Sequence, residues 1–167
     1  YSTDVDKVTK DQTVVIRSHG VGLDVYEKLA KVGAEVIDAT CPFVARIHKI
    51  AAEKSGEGYV ILIAGDEAHP EIMGIRGHCS GESYVFSSCD DFENLVKEKD
   101  FSSKKVAILA QTTYNKNMWR KCEELFERYL PEAVVYNTIC SATSERQKEA
   151  AELAKAADIM IIVGGLH

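Results

Sequence analysis

Short runs rich in Val and Ile alternate with helical patterns along the whole of this 167-residue chain, and nothing else restricts its fold as strongly. The apolar runs lie at 13–17, 35–38, 59–64, 83–86, 105–110, 133–136 and 158–163. They are nearly continuous in apolar character, as expected of strands covered on both faces. The segments between them read as helices. One carries Met118, Cys122, Leu125, Phe126 and Tyr129 on a single stripe and stops at Pro131. Another starts at Pro42, a favoured first helical position, and turns Val44, Ile47 and Ala51 inward. A third covers 23–32 and ends at Gly33, and an Ala- and Glu-rich helix follows Cys140 as far as Ala157. Such alternation predicts an α/β protein of parallel sheets with right-handed crossovers. With 46% apolar residues the chain can bury the core of one domain or of parts of two or three. The outer apolar runs lie close to the ends of the sequence, so the chain is expected to be a piece of something longer, cut inside α/β units.

Charge and cysteine usage narrow the class. A net charge of −6 argues against a nucleic-acid or anionic-membrane surface. The longest apolar runs, such as 59–64 and 159–163, are too short to span a bilayer. Five cysteines without a secretory signal make a disulfide framework unexpected and a reducing, cytoplasmic setting the expected one.

In open α/β sheets, ligands bind outside the carboxyl ends of the strands. Those positions hold Ser18-His19-Gly20, Thr40-Cys41-Pro42, His69-Pro70-Glu71, Gln111-Thr112-Thr113, Cys140 and Gly164-Gly165. Each has an ordinary explanation. A turn histidine often bonds backbone, Glu71 after Pro70 can compensate a helix dipole, and Thr112 and Thr113 can cap a helix. Small-hydrophobe packing is the reading for Cys79, Cys89 and Cys122, and surface or packing roles for His48 and His78. Taken together, the strand-end residues form a coherent chemical set. Histidines and helix N-termini offer donors to a phosphate, and a carboxyl in a desolvated cleft can act as a general acid. Threonine hydroxyls can relay that proton, and Cys41 and Cys140 offer two thiolates to iron–sulfur or zinc. Their wide separation rules out a CxxC knuckle, so both would come from different domains and meet in a cleft.

The ordered motifs Arg17-Ser18-His19-Gly20-Val21, Asp38-Ala39-Thr40-Cys41-Pro42, His69-Pro70-Glu71, Gln111-Thr112-Thr113, Cys140-x-Ala142-Thr143-x-x-Arg146-Gln147 and Val163-Gly164-Gly165 resemble the IspH/LytB family of 4-hydroxy-3-methylbut-2-enyl diphosphate reductases. The resemblance implies an iron–sulfur oxidoreductase that ends the methylerythritol phosphate route to isoprenoids, producing isopentenyl and dimethylallyl diphosphates. It implies that Cys41 and Cys140 are two of three thiolate ligands of a 4Fe–4S cluster. His19 and His69 resemble diphosphate-binding histidines, Glu71 the proton donor, and Thr112 the residue that contacts the substrate hydroxyl, with Gln111 and Thr113 in support. A ferredoxin or flavodoxin is the implied electron donor. The family's first cluster cysteine, a further histidine and a Ser-x-Asn phosphate motif have no counterpart in this sequence.

The resemblance also implies three small α/β domains around a central cleft. Residues 1–40 would be the end of the first, 41–139 the whole of the second, and 140–167 the start of the third. Two other classes compete with the reductase. One is a cysteine-nucleophile hydrolase or transferase pairing Cys41 with His69; the other is a non-catalytic interaction domain.

Overall fold

A computed structural model describes residues 4–163. After a 3-10 turn at Val5–Lys7 come strand β1 (Thr13–Ile16), helix α1 (Leu23–Val32) and strand β2 (Glu35–Asp38). The chain continues through α2 (Pro42–Gly56), β3 (Tyr59–Ala64), α3 (Pro70–Gly77), β4 (Ser83–Phe86), α4 (Cys89–Glu98) and β5 (Lys105–Ala110). It ends in α5 (Lys116–Tyr129), β6 (Val134–Val135) and α6 (Ala142–Ala156). The expected α/β class is the observed one.

Every strand pairing is parallel. β1 and β2 form a two-stranded sheet, with Thr13 opposite Glu35 and Ile16 opposite Asp38. β3 to β6 form a four-stranded sheet in the order β4-β3-β5-β6. The local signals are plain. Gly33 ends α1 in the left-handed region at φ 75°, where a missing Cβ removes the steric penalty, and its N–H returns to the Leu29 and Ala30 carbonyls. Asn115 caps α5 by accepting from the N–H groups of Asn117 and Met118.

Alternate residues of the larger sheet feed two cores. Val60, Leu62, Ala64, Val106, Ile108 and Ala110 face α4 and α5, meeting Phe92, Trp119, Cys122 and Phe126. Ile61, Ile63, Ala107 and Leu109 face α2 and α3, meeting Ile47, Ala51, Ile72 and Ile75. Fully burying each large aliphatic or aromatic side chain contributes about 1.5–3 kcal/mol, so both helical layers are held by many such residues. Rings Phe86, Phe92, Phe126 and Trp119 meet edge to face at 4.8–5.9 Å.

The order of strands places a crevice. α3 leaves β3 on one face, whereas α5 leaves the neighbouring β5 on the other. Between these two strand ends the crossovers diverge, which is the topological switch point of an open α/β sheet.

Three expectations need correction. The run at 158–163 forms no strand: its residues are exposed, Val163 at 92%, and none of the described residues offers it a ladder. β2 is exposed at all four residues, so the two-sided cover expected of apolar parallel strands holds for β3 and β5 but not here. The stripe expected on α5 is the observed one: Cys122 and Phe126 are buried, Met118, Leu125 and Tyr129 pack against the same core, and Trp119 is buried beside them. Finally, Cys89 and Cys122 are joined by a disulfide. α4 and α5 lie side by side on one face and bring the two Cα atoms to 5.2 Å, a proximity that cysteine counting cannot detect. The Gly164-Gly165 segment lies outside the described residues.

Candidate functional site at the switch point

Glu71 lies in the first turn of α3, directly after β3, and is 2% exposed. Its carboxylate accepts two hydrogen bonds from one residue across the crevice. The Thr112 N–H reaches Oε1 at 2.6 Å and the Thr112 hydroxyl reaches Oε2 at 2.7 Å. Thr112 follows β5 and is itself buried. Among the described residues no Lys or Arg pairs with Glu71, so its lone pairs are engaged by this threonine alone. Gln111 braces the same edge. Its Oε1 accepts from the Asp66 N–H at 3.1 Å, and its Nε2 donates to the Thr113 hydroxyl at 2.9 Å. A Cβ at Gly65 would come within 2.8 Å of that Oε1 and 2.5 Å of Ile72 Cδ1, so a larger residue there would displace the Gln111 side chain.

His69 is the N-cap of α3. Its Nδ1 accepts from the Glu71 N–H at 3.1 Å, which in the neutral ring leaves the proton on Nε2, free to donate. His19, in the turn after β1, meets the His69 ring edge to face at 5.3 Å. The Nδ1 of His19 is shielded from solvent and has no partner within the described residues. An orphaned buried nitrogen of this kind is an unmet hydrogen-bonding demand in the site.

The two strand-end cysteines flank this group. Cys41 opens α2 and its N–H donates to the Ser18 carbonyl at 3.0 Å, beside His19. The N–H of Cys140 donates to the Thr112 carbonyl at 2.8 Å, and its sulfur accepts from the Ala142 N–H at the start of α6. That placement sets Sγ beside the first turn of α6. One continuous thread of contacts thus runs from Cys41 through Ser18, His19, His69, Glu71 and Thr112 to Cys140. The six candidate catalytic, diphosphate-binding and metal residues, His19, Cys41, His69, Glu71, Thr112 and Cys140, all lie on it.

In kind, the two free thiols suit an iron–sulfur cluster, whose irons are held by Cys thiolates. In number they are part of a set: among the described residues no three or more His, Cys, Asp or Glu converge on a metal position. Cys79 is a different case. Burial pushes its thiol up to about 11, and it packs in the core beside α3. No helix of the described residues is long and apolar enough to cross a membrane.

Two groups do more here than the sequence reading assigns them, which places Asp38 only within a motif and gives His48 only a surface or packing role. Asp38 accepts from the Thr40 N–H, the Thr40 hydroxyl and the Tyr26 hydroxyl, fixing the turn that presents Cys41. Its small degree of burial works to raise its pKa, but those hydrogen bonds win and hold the carboxyl below its ordinary value. His48 is buried, at 5% exposed, with the His78 ring stacked on it at 4.2 Å. A clue existed for Asp38, since an Asp two residues before Thr is a turn former. For His48 there was none beyond its place one helical turn from Val44 and Ala51.

The comparisons agree with the geometry. The LytB protein family matches residues 2–167. The 4-hydroxy-3-methylbut-2-enyl diphosphate reductase of Thermoanaerobacter sp. (strain X514) is 40% identical over 164 residues, covering 98% of this chain and 55% of the relative. That of Clostridioides difficile (strain 630) is 38% identical, covering 98% and 58%. A solved structure of (E)-4-hydroxy-3-methyl-but-2-enyl diphosphate reductase superposes with a TM-score of 0.78 at 36% identity, over 98% of this chain and 57% of that one. The structure of the corresponding Plasmodium falciparum reductase gives a TM-score of 0.80 at 25% identity, covering 98% and 51%. The chain spans about half the length of these curated relatives. A match over nearly its entire length nonetheless decides its kinship: this chain belongs to the LytB family.

Proposed function

We propose that this chain is the central part of a 4-hydroxy-3-methylbut-2-enyl diphosphate reductase, comprising the end of one α/β domain (1–40), a whole second domain (41–139) and the start of a third (140–167). The reaction removes the allylic hydroxyl as water, consumes two electrons and two protons, and yields isopentenyl and dimethylallyl diphosphates. The names of the relatives at about 40% identity support the substrate and the reaction type. The observation that carries the reading is the buried Glu71–Thr112 pair, two hydrogen bonds at the switch point between β3 and β5.

Each residue has a role that its geometry suits. Glu71 holds a proton at a carboxyl oxygen, and the Thr112 hydroxyl, bonded to it directly, passes that proton to the departing hydroxyl. His69 donates from Nε2, and His19 beside it adds a second imidazole for the diphosphate. Gln111 and Thr113 keep the β5 end in register with the β3 turn. Cys41 and Cys140 would hold a 4Fe–4S cluster as two of its thiolate ligands. When bound, the cluster supplies electron transfer and Lewis acidity. The electrons come from outside the chain, and a ferredoxin or flavodoxin in the cytoplasm is the donor of matching chemistry. A Cys41–His69 nucleophile pair gains no support, since Nδ1 of His69 is taken by the Glu71 N–H and no hydrogen bond joins it to Cys41.

The test is Glu71→Gln in the full-length enzyme. Turnover should fall by about 10²-fold or more, the contribution typical of a positioned general acid. The visible cluster spectrum and the affinity for inorganic diphosphate should stay near wild type. Unchanged turnover would overturn the assignment.

A further inference from the structure

The loop after β1 carries His19, yet β1 belongs to the small sheet, whereas His69 and Glu71 open α3, which packs on the large one. Something must set the loop's height over α3. Four backbone positions without a Cβ and two imidazoles do so. A Cβ on Gly20 would lie 2.3 Å from Cε1 of His48, and one on Gly74 would lie 3.1 Å from its Nε2. The His48 ring therefore fills a slot between the loop backbone on one side and the α3 backbone on the other. A Cβ on Gly74 would also sit 3.4 Å from the His19 carbonyl oxygen, so α3 and the His19 main chain touch at the same place. One turn further on, Gly22 and Gly77 meet backbone to backbone; a Cβ on Gly77 would come 2.5 Å from the Gly22 Cα. His78 completes the clamp. Its Nε2 lies 3.0 Å from the Val21 carbonyl, which can only accept, so that nitrogen bears the proton.

The occupant of the slot is informative. Nε2 of His48 is sealed from solvent and has no hydrogen-bond partner among the described residues. An aliphatic side chain would carry no such orphaned nitrogen. What it lacks is flatness: two closely approaching backbones and a stacked ring leave room for a planar group.

Resting on the reductase reading, we infer that His48, backed by His78, is a positioning residue for diphosphate binding. Its ring fixes the spacing of the His19 loop from α3, and hence of His19 from His69. It touches neither substrate nor cluster. Loss of the wedge lets the loop shift against α3, and binding groups displaced by about 1 Å lose much of their effect. The Glu71–Thr112 pair, anchored on the large sheet alone, keeps its geometry.

The experiment compares wild type, His48→Ala, Gly74→Ala and His78→Phe in the full-length enzyme. It measures kcat and KM for the allylic diphosphate, and Kd for inorganic diphosphate by calorimetry. Gly74→Ala replaces no site residue and presses on the His48 ring, with only ordinary contact to the His19 carbonyl; His78→Phe keeps the stack and deletes the bond to Val21. These two carry the comparison if His48→Ala does not accumulate folded. KM and Kd should rise about tenfold together, with kcat within about threefold of wild type. Unchanged Kd in folded variants, or a fall in kcat at constant KM, overturns the inference. Failure of wild type to bind diphosphate would instead strike the function reading and take the inference with it.

Discussion

At the scale of single residues, the same buried histidine gives the chain a pH dependence. Burial first, and the charge of His78 second, push His48 down to about 4, against an opposing pull from Asp38. His78 is pushed down as well, mainly by burial, with its bond to Val21 opposing. An unfolded histidine titrates near 6.5, so between pH 6.5 and 4 the unfolded chain binds more protons than the folded one. Stability is therefore whole above pH 6.5 and drains away as pH falls toward 4. For His48 the difference corresponds to about 3 kcal/mol. Urea denaturation of the full-length enzyme at pH 7.5, 5.5 and 4.5 should show this loss, and His48→Gln should flatten it. Equal slopes in both proteins would remove His48 as the cause. Of the site, Glu71, Thr112, His19, His69 and the two cysteines were legible because strand ends are places where sequence order becomes spatial neighbourhood. His48 was not: its importance lies in Gly20 and Gly74, which reach it from other elements.

At the scale of elements, α4 and α5 are the best-secured pair. Phe126 meets Phe86, Phe92 and Trp119 and is 1% exposed. Phe126→Ala should cost about 3–5 kcal/mol, read as a shift of the urea midpoint. The Cys89–Cys122 disulfide closes a loop of 33 residues and, in the chain-entropy account, restrains the unfolded state by about 3–4 kcal/mol. Thiol titration of the denatured, unreduced and cluster-free chain should therefore give three free cysteines, Cys41, Cys79 and Cys140, and reduction should lower the melting temperature. Five free thiols before reduction would refute the bridge. The helices and the apolar stripe of α5 were readable from spacing. The burial of Trp119 was not, since it depends on which sheet residues oppose it.

At the scale of the whole molecule, two strand-end thiols are fewer than the three thiolates proposed to hold the cluster. Anaerobic reconstitution of these 167 residues alone should give a chain poor in iron and sulfide and without turnover. A stable cluster with full reductase activity would contradict the proposed three-cysteine set. Sequence by itself determined the alternation of elements, the parallel α/β class and the edge on which chemistry gathers. It did so because apolar periodicity, glycine stops and Pro at first helical turns act locally. Only the tertiary structure decided the strand order β4-β3-β5-β6, and with it the switch point where Glu71 of one turn meets Thr112 of another. It also decided that β2 and residues 158–163 stay uncovered, and that two cysteines outside the site are bridged. Those outcomes depend on which surfaces meet across long stretches of chain, and no local pattern encodes that.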